Sequence, residues 1–143
     1  MKQFRRPELK SDFEAEPSRA DIVAALDAHE LWLKGEREGK RLTSQQLPVT
    51  VRGLVFDGRN LSRSELQAVD FETCSMRGVN WTEADLTGSI FSDCEFSGDT
   101  KFDRATLLLC RFRNCVGVET ASFEGAEVES ALYEGCDPNH KEP

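Results

Sequence analysis

Residues 76–96 read MRGVNWTEADLTGSIFSDCEF, and within them a large apolar residue returns at every fifth position: Met76, Trp81, Leu86, Phe91 and Phe96. A helix repeats its apolar face about every 3.6 residues and a strand every second residue, so neither explains a period of five. The same beat runs outward in both directions. Phe56, Leu61, Leu66 and Phe71 come before it; Phe102, Leu107 and Phe112 come after, displaced by one extra residue. A second irregularity near Gly117 separates Phe112 from Phe123, and Val128 and Tyr133 complete the series. The position two before each centre carries Cys74, Val79, Ala84, Ser89, Cys94, Thr100, Ala105, Cys110, Cys115, Ala121, Ala126, Ala131 and Cys136. All are small, and all five cysteines of the chain fall there. Repetition of this kind decides an architecture before local propensity does, because each unit buries its apolar face only against its neighbours.

Within this series, Ala84-Asp85-Leu86-Thr87-Gly88 resembles the consensus of the pentapeptide-repeat family almost letter for letter, and the resemblance covers residues 54–136. It implies an all-β solenoid, a right-handed quadrilateral β-helix with one pentapeptide on each side. The sequence offers its own check of that geometry, since side chains about one coil apart must stack and match. Phe71, Phe91, Phe112 and Tyr133 form one aromatic column. Leu66, Leu86, Leu107 and Val128 form an aliphatic one, and Leu61, Trp81, Phe102 and Phe123 a third. The fourth, Phe56, Met76 and Phe96, runs out at Gly117. With rungs roughly 4.8 Å apart, about four coils give a rod roughly 20 Å long.

The chain divides on this reading into a flexible N-terminal arm (1–17), a helical N-terminal cap and lead-in (18–47), the β-helix (48–136) and a polar C-terminal tail (137–143). Ser18 caps a short α-helix expected over 19–34, with Asp21 at its positive end and Gly35 just past its stop. Ile22, Leu26, His29 and Leu33 share one face of it. A solenoid end exposes apolar cross-section and unpaired strand groups, so the helix is read as a plug, with a partner-binding helix as the alternative. The segment 42–53 (LTSQQLPVTVRG) departs from the repeat, which makes the first coil irregular.

Composition excludes several classes of function. Of the 18 Lys/Arg and 26 Asp/Glu, nine of each lie in residues 1–47, so the whole net charge of −8 lies in residues 48–143. An acidic surface opposes direct binding to nucleic acid or to an anionic membrane, and no apolar run is long enough to span a bilayer. The start MKQFRRPELK lacks the apolar core of a secretory signal, and five cysteines, an odd number, fit free thiols in a reducing compartment. A cytoplasmic protein is expected.

No catalytic constellation emerges. Gly35 to Lys40 fails as a phosphate loop in spacing, in the Arg41 that follows, and in the helix that precedes it. His29 falls in the helix as a semi-buried core residue and His140 in the polar tail, neither beside a nucleophile. Cys74, Cys94, Cys115 and Cys136 share a column, which strings thiols along the axis instead of converging them on one metal ion. No enzyme activity, cofactor or metal is expected.

The outward positions are mostly polar, with one exception. Ile90 and Leu132 precede their centres on the side of the aromatic column, and Leu108 and Leu109 lie at the corner leading into it, with Arg111 between and Arg113 nearby. Stacking would join Ile90, Leu108, Leu109, Arg111 and Leu132 into an apolar patch suited to a protein partner or a second copy in a homodimer. A non-catalytic protein-interaction or scaffold module is the expectation, with no particular partner indicated. The alternative follows from the resemblance: some family members bind and modulate type II topoisomerases as acidic mimics of DNA, protecting them from quinolones. This chain departs from that group in its few coils and in lacking an apolar C-terminal helix.

Overall fold

The computed structural model describes residues 16–136. Most of the N-terminal arm and the tail 137–143 with His140 lie outside the described residues. A helix, α1 (Arg19–Leu33), is followed by five three-residue strands: β1 (Thr50–Arg52), β2 (Asp70–Glu72), β3 (Ile90–Ser92), β4 (Arg111–Arg113) and β5 (Leu132–Glu134). The strands lie parallel in chain order, in register through Val51, Phe71, Phe91, Phe112 and Tyr133. Bridges along Val55–Ser75–Glu95–Val116, Asn60–Asn80–Lys101–Ser122 and Thr43–Glu65–Asp85–Thr106–Glu127 form the other sides. The molecule is a four-sided β-solenoid.

The repeat closes because its positions divide between core, wall and corner. Every centre from Phe56 to Phe112 is buried. Rings in one column stack nearly parallel: Phe71 to Phe91 at 5.1 Å and 9°, Phe91 to Phe112 at 5.1 Å and 8°, Phe112 to Tyr133 at 5.2 Å and 6°. Between columns they meet edge to face, as Phe71 does Trp81 at 63°, so both favourable ring geometries are used. From Phe56 to Phe112, the residue two after each centre except Phe96 turns the corner in the left-handed region. Gly58, Gly78 and Gly88 adopt it freely, whereas Arg63, Glu83, Asp93 and Leu109 adopt it against their Cβ atoms.

Two details differ from the sequence reading. Val51 belongs to the repeat: it is buried at the foot of the aromatic column and pairs with Phe71. The rest of 42–53 is irregular, with a 3-10 turn at Ser44–Gln46 and buried Leu42 and Leu47. The fourth column also does not end at Gly117. That glycine sits at φ 83°, where an added Cβ would lie 2.1 Å from the Phe96 carbonyl oxygen. The chain passes too close there for a side chain, and the next residue, Val118, is completely buried and fills the core instead.

The helix covers the first coil. Ser18 and Asp21 form a reciprocal capping box, with bonds of 3.1 and 2.9 Å. Ile22, Leu26 and His29 are buried against the core; Leu33 is only partly covered. His29 is fully enclosed, not half-buried, and its ring joins three segments. Nδ1 accepts the Leu42 N–H at 2.9 Å, so the proton sits on Nε2, which donates to the Ser62 carbonyl at 2.8 Å. Arg59 binds Asp27 and Glu30 of the helix, and Glu30 also accepts the Asn60 N–H at 2.8 Å. Arg41 and Arg63 both lie 5.1 Å from the Trp32 ring centroid. The plug is thereby latched by charge, hydrogen bonds and apolar contact together.

Candidate interaction face

The strand side of the solenoid presents two outward columns. The first runs Thr50, Asp70, Ile90, Arg111, Leu132 and the second Arg52, Glu72, Ser92, Arg113, Glu134, each step being one rung of the parallel ladder. The upper half of the first column is thus apolar, basic, apolar on successive rungs. The corner leading into this side is fixed by backbone bonds. Gly88 N–H donates to Leu108 O at 2.9 Å and Leu109 N–H to Glu129 O at 3.1 Å, which sets the Leu108–Leu109 pair one rung above Thr87–Gly88. Ile90, Arg111 and Leu132 are therefore aligned, with Leu109 at the same corner height as Arg111.

Exposure divides the five residues. Leu109 is 62 % exposed and Leu132 44 % exposed; Arg111 is exposed, while Ile90 and Leu108 are half-buried. Leu109 also holds φ 62°, and among the described residues it is the one large apolar side chain in that conformation. The equivalent corner below is Gly88, which adopts it without strain. The remaining exposed valines do not cluster in this way: on the next side Val55 and Val116 stand at opposite ends of a column, separated by Ser75 and Glu95.

The walls around the patch are ion-paired from rung to rung. Arg52 reaches Glu72 at 2.8 Å, Arg77 reaches Glu95 at 2.7 Å, Arg104 reaches Glu83 at 3.4 Å and Arg113 reaches Glu134 at 3.5 Å. These pairs locally neutralise Glu72, Glu83, Glu95 and Glu134.

The thiols lie inward, as their position in the repeat requires. Cys74, Cys94, Cys110 and Cys115 are buried, and Cys136 is partly covered. Each donates to a carbonyl of the coil below, Cys110 to Leu86 O at 2.8 Å and Cys115 to Phe91 O at 3.2 Å. Burial pushes the Cys110 thiol up to about 12, and the stacked thiols of Cys115 and Cys74, with burial, hold Cys94 far above the ordinary range. Cys94 and Cys110 stay protonated, and the four buried thiols pack as small apolar filler. Among the described residues no group of three or more His, Cys, Asp or Glu could hold a metal ion, and no helix is long and apolar enough to cross a membrane.

One feature was missed from the sequence. Phe123, Val128 and Tyr133 are only partly buried, although they continue columns whose lower members are fully enclosed.

Comparison with known proteins bears on the fold. The family model of pentapeptide repeats (8 copies) matches residues 64–98. No curated protein matches the chain. Among solved structures the chain is similar to HetL, a pentapeptide-repeat protein involved in heterocyst differentiation regulation in the cyanobacterium Nostoc. The two share 20% identity over 71% of this chain and 45% of HetL, with a TM-score of 0.58. It is also similar to QnrB1, a plasmid-mediated fluoroquinolone resistance protein, at 26% identity over 61% of this chain and 42% of that one, with a TM-score of 0.43. The chain thus spans less than half the length of either. With its five-residue beat, its four ladders and its stacked columns, the chain is a four-sided β-solenoid of pentapeptide repeats, and residues 64–98 match the model of that family.

Proposed function

We propose that this chain is a non-catalytic protein-interaction module that docks a protein partner through its strand side, at Ile90, Leu108, Leu109, Arg111 and Leu132. The observation that carries the reading is the exposed Leu109 in a left-handed corner beside Arg111 and Leu132. A non-glycine residue there is held at a cost of about 1–2 kcal/mol. An exposed leucine gains nothing from that position in the isolated molecule, so its apolar surface is placed for a contact. Contiguous apolar surface with an arginine in its midst is the composition of protein interfaces. A filled core also leaves little room for the convergent polar pocket that catalysis requires. The topoisomerase reading is weakened by the rung-to-rung ion pairs, which neutralise Glu72, Glu83, Glu95 and Glu134 on the walls.

The test is the double variant Leu108→Glu, Leu132→Glu, compared with the unaltered chain by sedimentation and by pull-down from the native host. Both side chains lie outside the core, so folding is expected to be retained while a partner or self-associated form is lost. If oligomeric state and partner recovery are both unchanged, the strand side is not the docking face.

A further inference from the structure

The strand side carries a charge pattern that becomes its own complement when turned end for end. Read from β1 to β5, the first outward column is Thr50, Asp70, Ile90, Arg111, Leu132 and the second is Arg52, Glu72, Ser92, Arg113, Glu134. Ile90 and Ser92, on β3, stand at the middle of the two columns. One rung from the middle lie Asp70 and Glu72 in one direction and Arg111 and Arg113 in the other. Two rungs out, Arg52 ends the second column at one end and Glu134 at the other. The columns are also neutral, with three arginines against three carboxylates, on a chain whose net charge is −8.

Two of these charges lack a partner inside the molecule. Arg52 pairs with Glu72 and Arg113 with Glu134. Asp70, half-buried, and Arg111, exposed, form no ion pair among the described residues. The corner beside them is matched in size as well. Ala68 N–H donates to Thr87 O and Gly88 N–H to Leu108 O, which places Ala68, Gly88 and Leu109 on successive rungs of one corner. The large Leu109 and the small Ala68, both exposed, therefore lie one rung either side of the middle.

Resting on the reading of the strand side as a docking face, we infer that its occupant is a second copy of this chain, packed antiparallel about a two-fold axis along β3. In that arrangement Ile90 of one copy meets Ile90 of the other at the axis, and Asp70 of each copy meets Arg111 of the other. Glu72 opposes Arg113 and Arg52 opposes Glu134, so the internal ion pairs join into a network across the interface. Leu109 lies over Ala68. Charge decides against the parallel arrangement. A two-fold axis along the solenoid would set Asp70 against Glu72 and Arg111 against Arg113 on the same rung, and like charges across an interface cost several kcal/mol. An isologous pair uses the same patch on both copies and closes, leaving nothing to propagate. Five rungs at about 4.8 Å span roughly 20 Å, so one side of the solenoid offers less than the roughly 800 Å² per partner of a standard interface, and the pair exchanges with monomer.

The experiment is sedimentation velocity of the full chain over a concentration series, with the folding of each variant checked by circular dichroism. The native chain should show a reversible monomer–dimer equilibrium that salt weakens. Asp70→Arg alone and Arg111→Asp alone should each weaken dimerisation about tenfold or more. Asp70→Arg makes the chain less negative, so it would strengthen an association governed by net charge alone. An equimolar mixture of the two single variants should recover the dimer, because positions 70 and 111 then carry opposite charges at both contacts of the mixed pair. The double variant Asp70→Arg, Arg111→Asp should dimerise as the native chain does, and Arg77→Asp on the next side should leave the equilibrium unchanged. The proposal is overturned by a native chain that stays monomeric throughout the series, by single variants that dimerise normally, or by a mixture that stays monomeric. It is overturned too if Arg77→Asp weakens the dimer as much as Arg111→Asp. A monomeric chain that still recovers a host protein, in a way that depends on Leu108 and Leu132, would refute the second copy and keep the strand side as a docking face. Loss of both would refute the face as well.

Discussion

Leu61 and Phe123 occupy the same place on the same side of the solenoid, near its two ends. Leu61 is wholly enclosed, and Phe123 is partly open. Nothing in the local repeat accounts for the difference, because both are large apolar centres preceded by a polar residue. At the first coil a helix lies over the core, held through His29, Arg59 and Glu30. At the last coil the column simply stops among the described residues. A pentapeptide coil is thus half a structure: it supplies a surface on which something else must be placed. Among the described residues the chain covers its first coil with a helix, whereas the centres of the last coil are only partly buried.

The sharpest way to break this contrast is within one column. Phe91 is stacked between Phe71 and Phe112 and is fully buried, so Phe91→Ala is expected to cost about 3–5 kcal/mol through lost transfer energy and a cavity. Tyr133 stacks on Phe112 in the same column and is partly exposed, so Tyr133→Ala should cost roughly 1–2 kcal/mol. Urea denaturation of both variants checks this. Hydrogen exchange should show the loss at Tyr133 confined to the last coil, since repeat stability is set between neighbours. Equal losses at the two positions would mean that the top is covered as well as the middle.

The period of five and the stacking of matched side chains one coil apart were legible in the sequence because each solenoid contact is repeated in the same register. Phe71, Phe91 and Phe112 announce one another. The two ends were less legible for opposite reasons. At the base, His29 works through the backbone groups of Leu42 and Ser62, which no pattern of side chains reveals. Val51 was hidden by its irregular neighbours although it stands five residues before Phe56. Val118 could not be foreseen, since it replaces Gly117 in the core through a close backbone approach that a letter sequence does not encode. On the strand side the identities of Ile90, Leu108, Leu109, Arg111 and Leu132 were readable, but the half-burial of Ile90 and Leu108 came only with coordinates.

The latch at the base makes the contrast sensitive to pH. Burial lowers the His29 pKa below its ordinary 6.5, aided by Arg41 and Arg63 and opposed by the Ser62 carbonyl and Glu30. A second proton on Nδ1 would also face the Leu42 N–H, which needs an acceptor. The folded state therefore binds this proton more weakly than the unfolded chain. Its contribution to stability is complete above the unfolded pKa and declines as pH falls toward the folded value, by no more than about 1.4 kcal/mol per pH unit. Stability measured from about pH 7.5 to about pH 5.5 should fall more steeply in the native chain than in His29→Gln. Parallel curves would show that the ring is not the sensor.

The smallest expected effect separates the latch from the walls. The Arg59 guanidinium is 22 % exposed and binds carboxylates on two turns of the helix, so Arg59→Ala should cost about 1 kcal/mol or slightly more. Arg77 forms an ion pair of similar length with Glu95, yet its side chain is 59 % exposed and its partner 48 % exposed. Water and salt screen such a pair, and ordering two long side chains offsets much of the attraction, so Arg77→Ala should change stability by about 0.5 kcal/mol or less. Denaturation at low and at high salt distinguishes the two. The Arg59 variant should remain less stable than the native chain at both concentrations, whereas the Arg77 variant should become indistinguishable from it at high salt. A loss at Arg77 as large as that at Arg59 would show that rung-to-rung pairs hold the solenoid together, and that the base is no better secured than the walls.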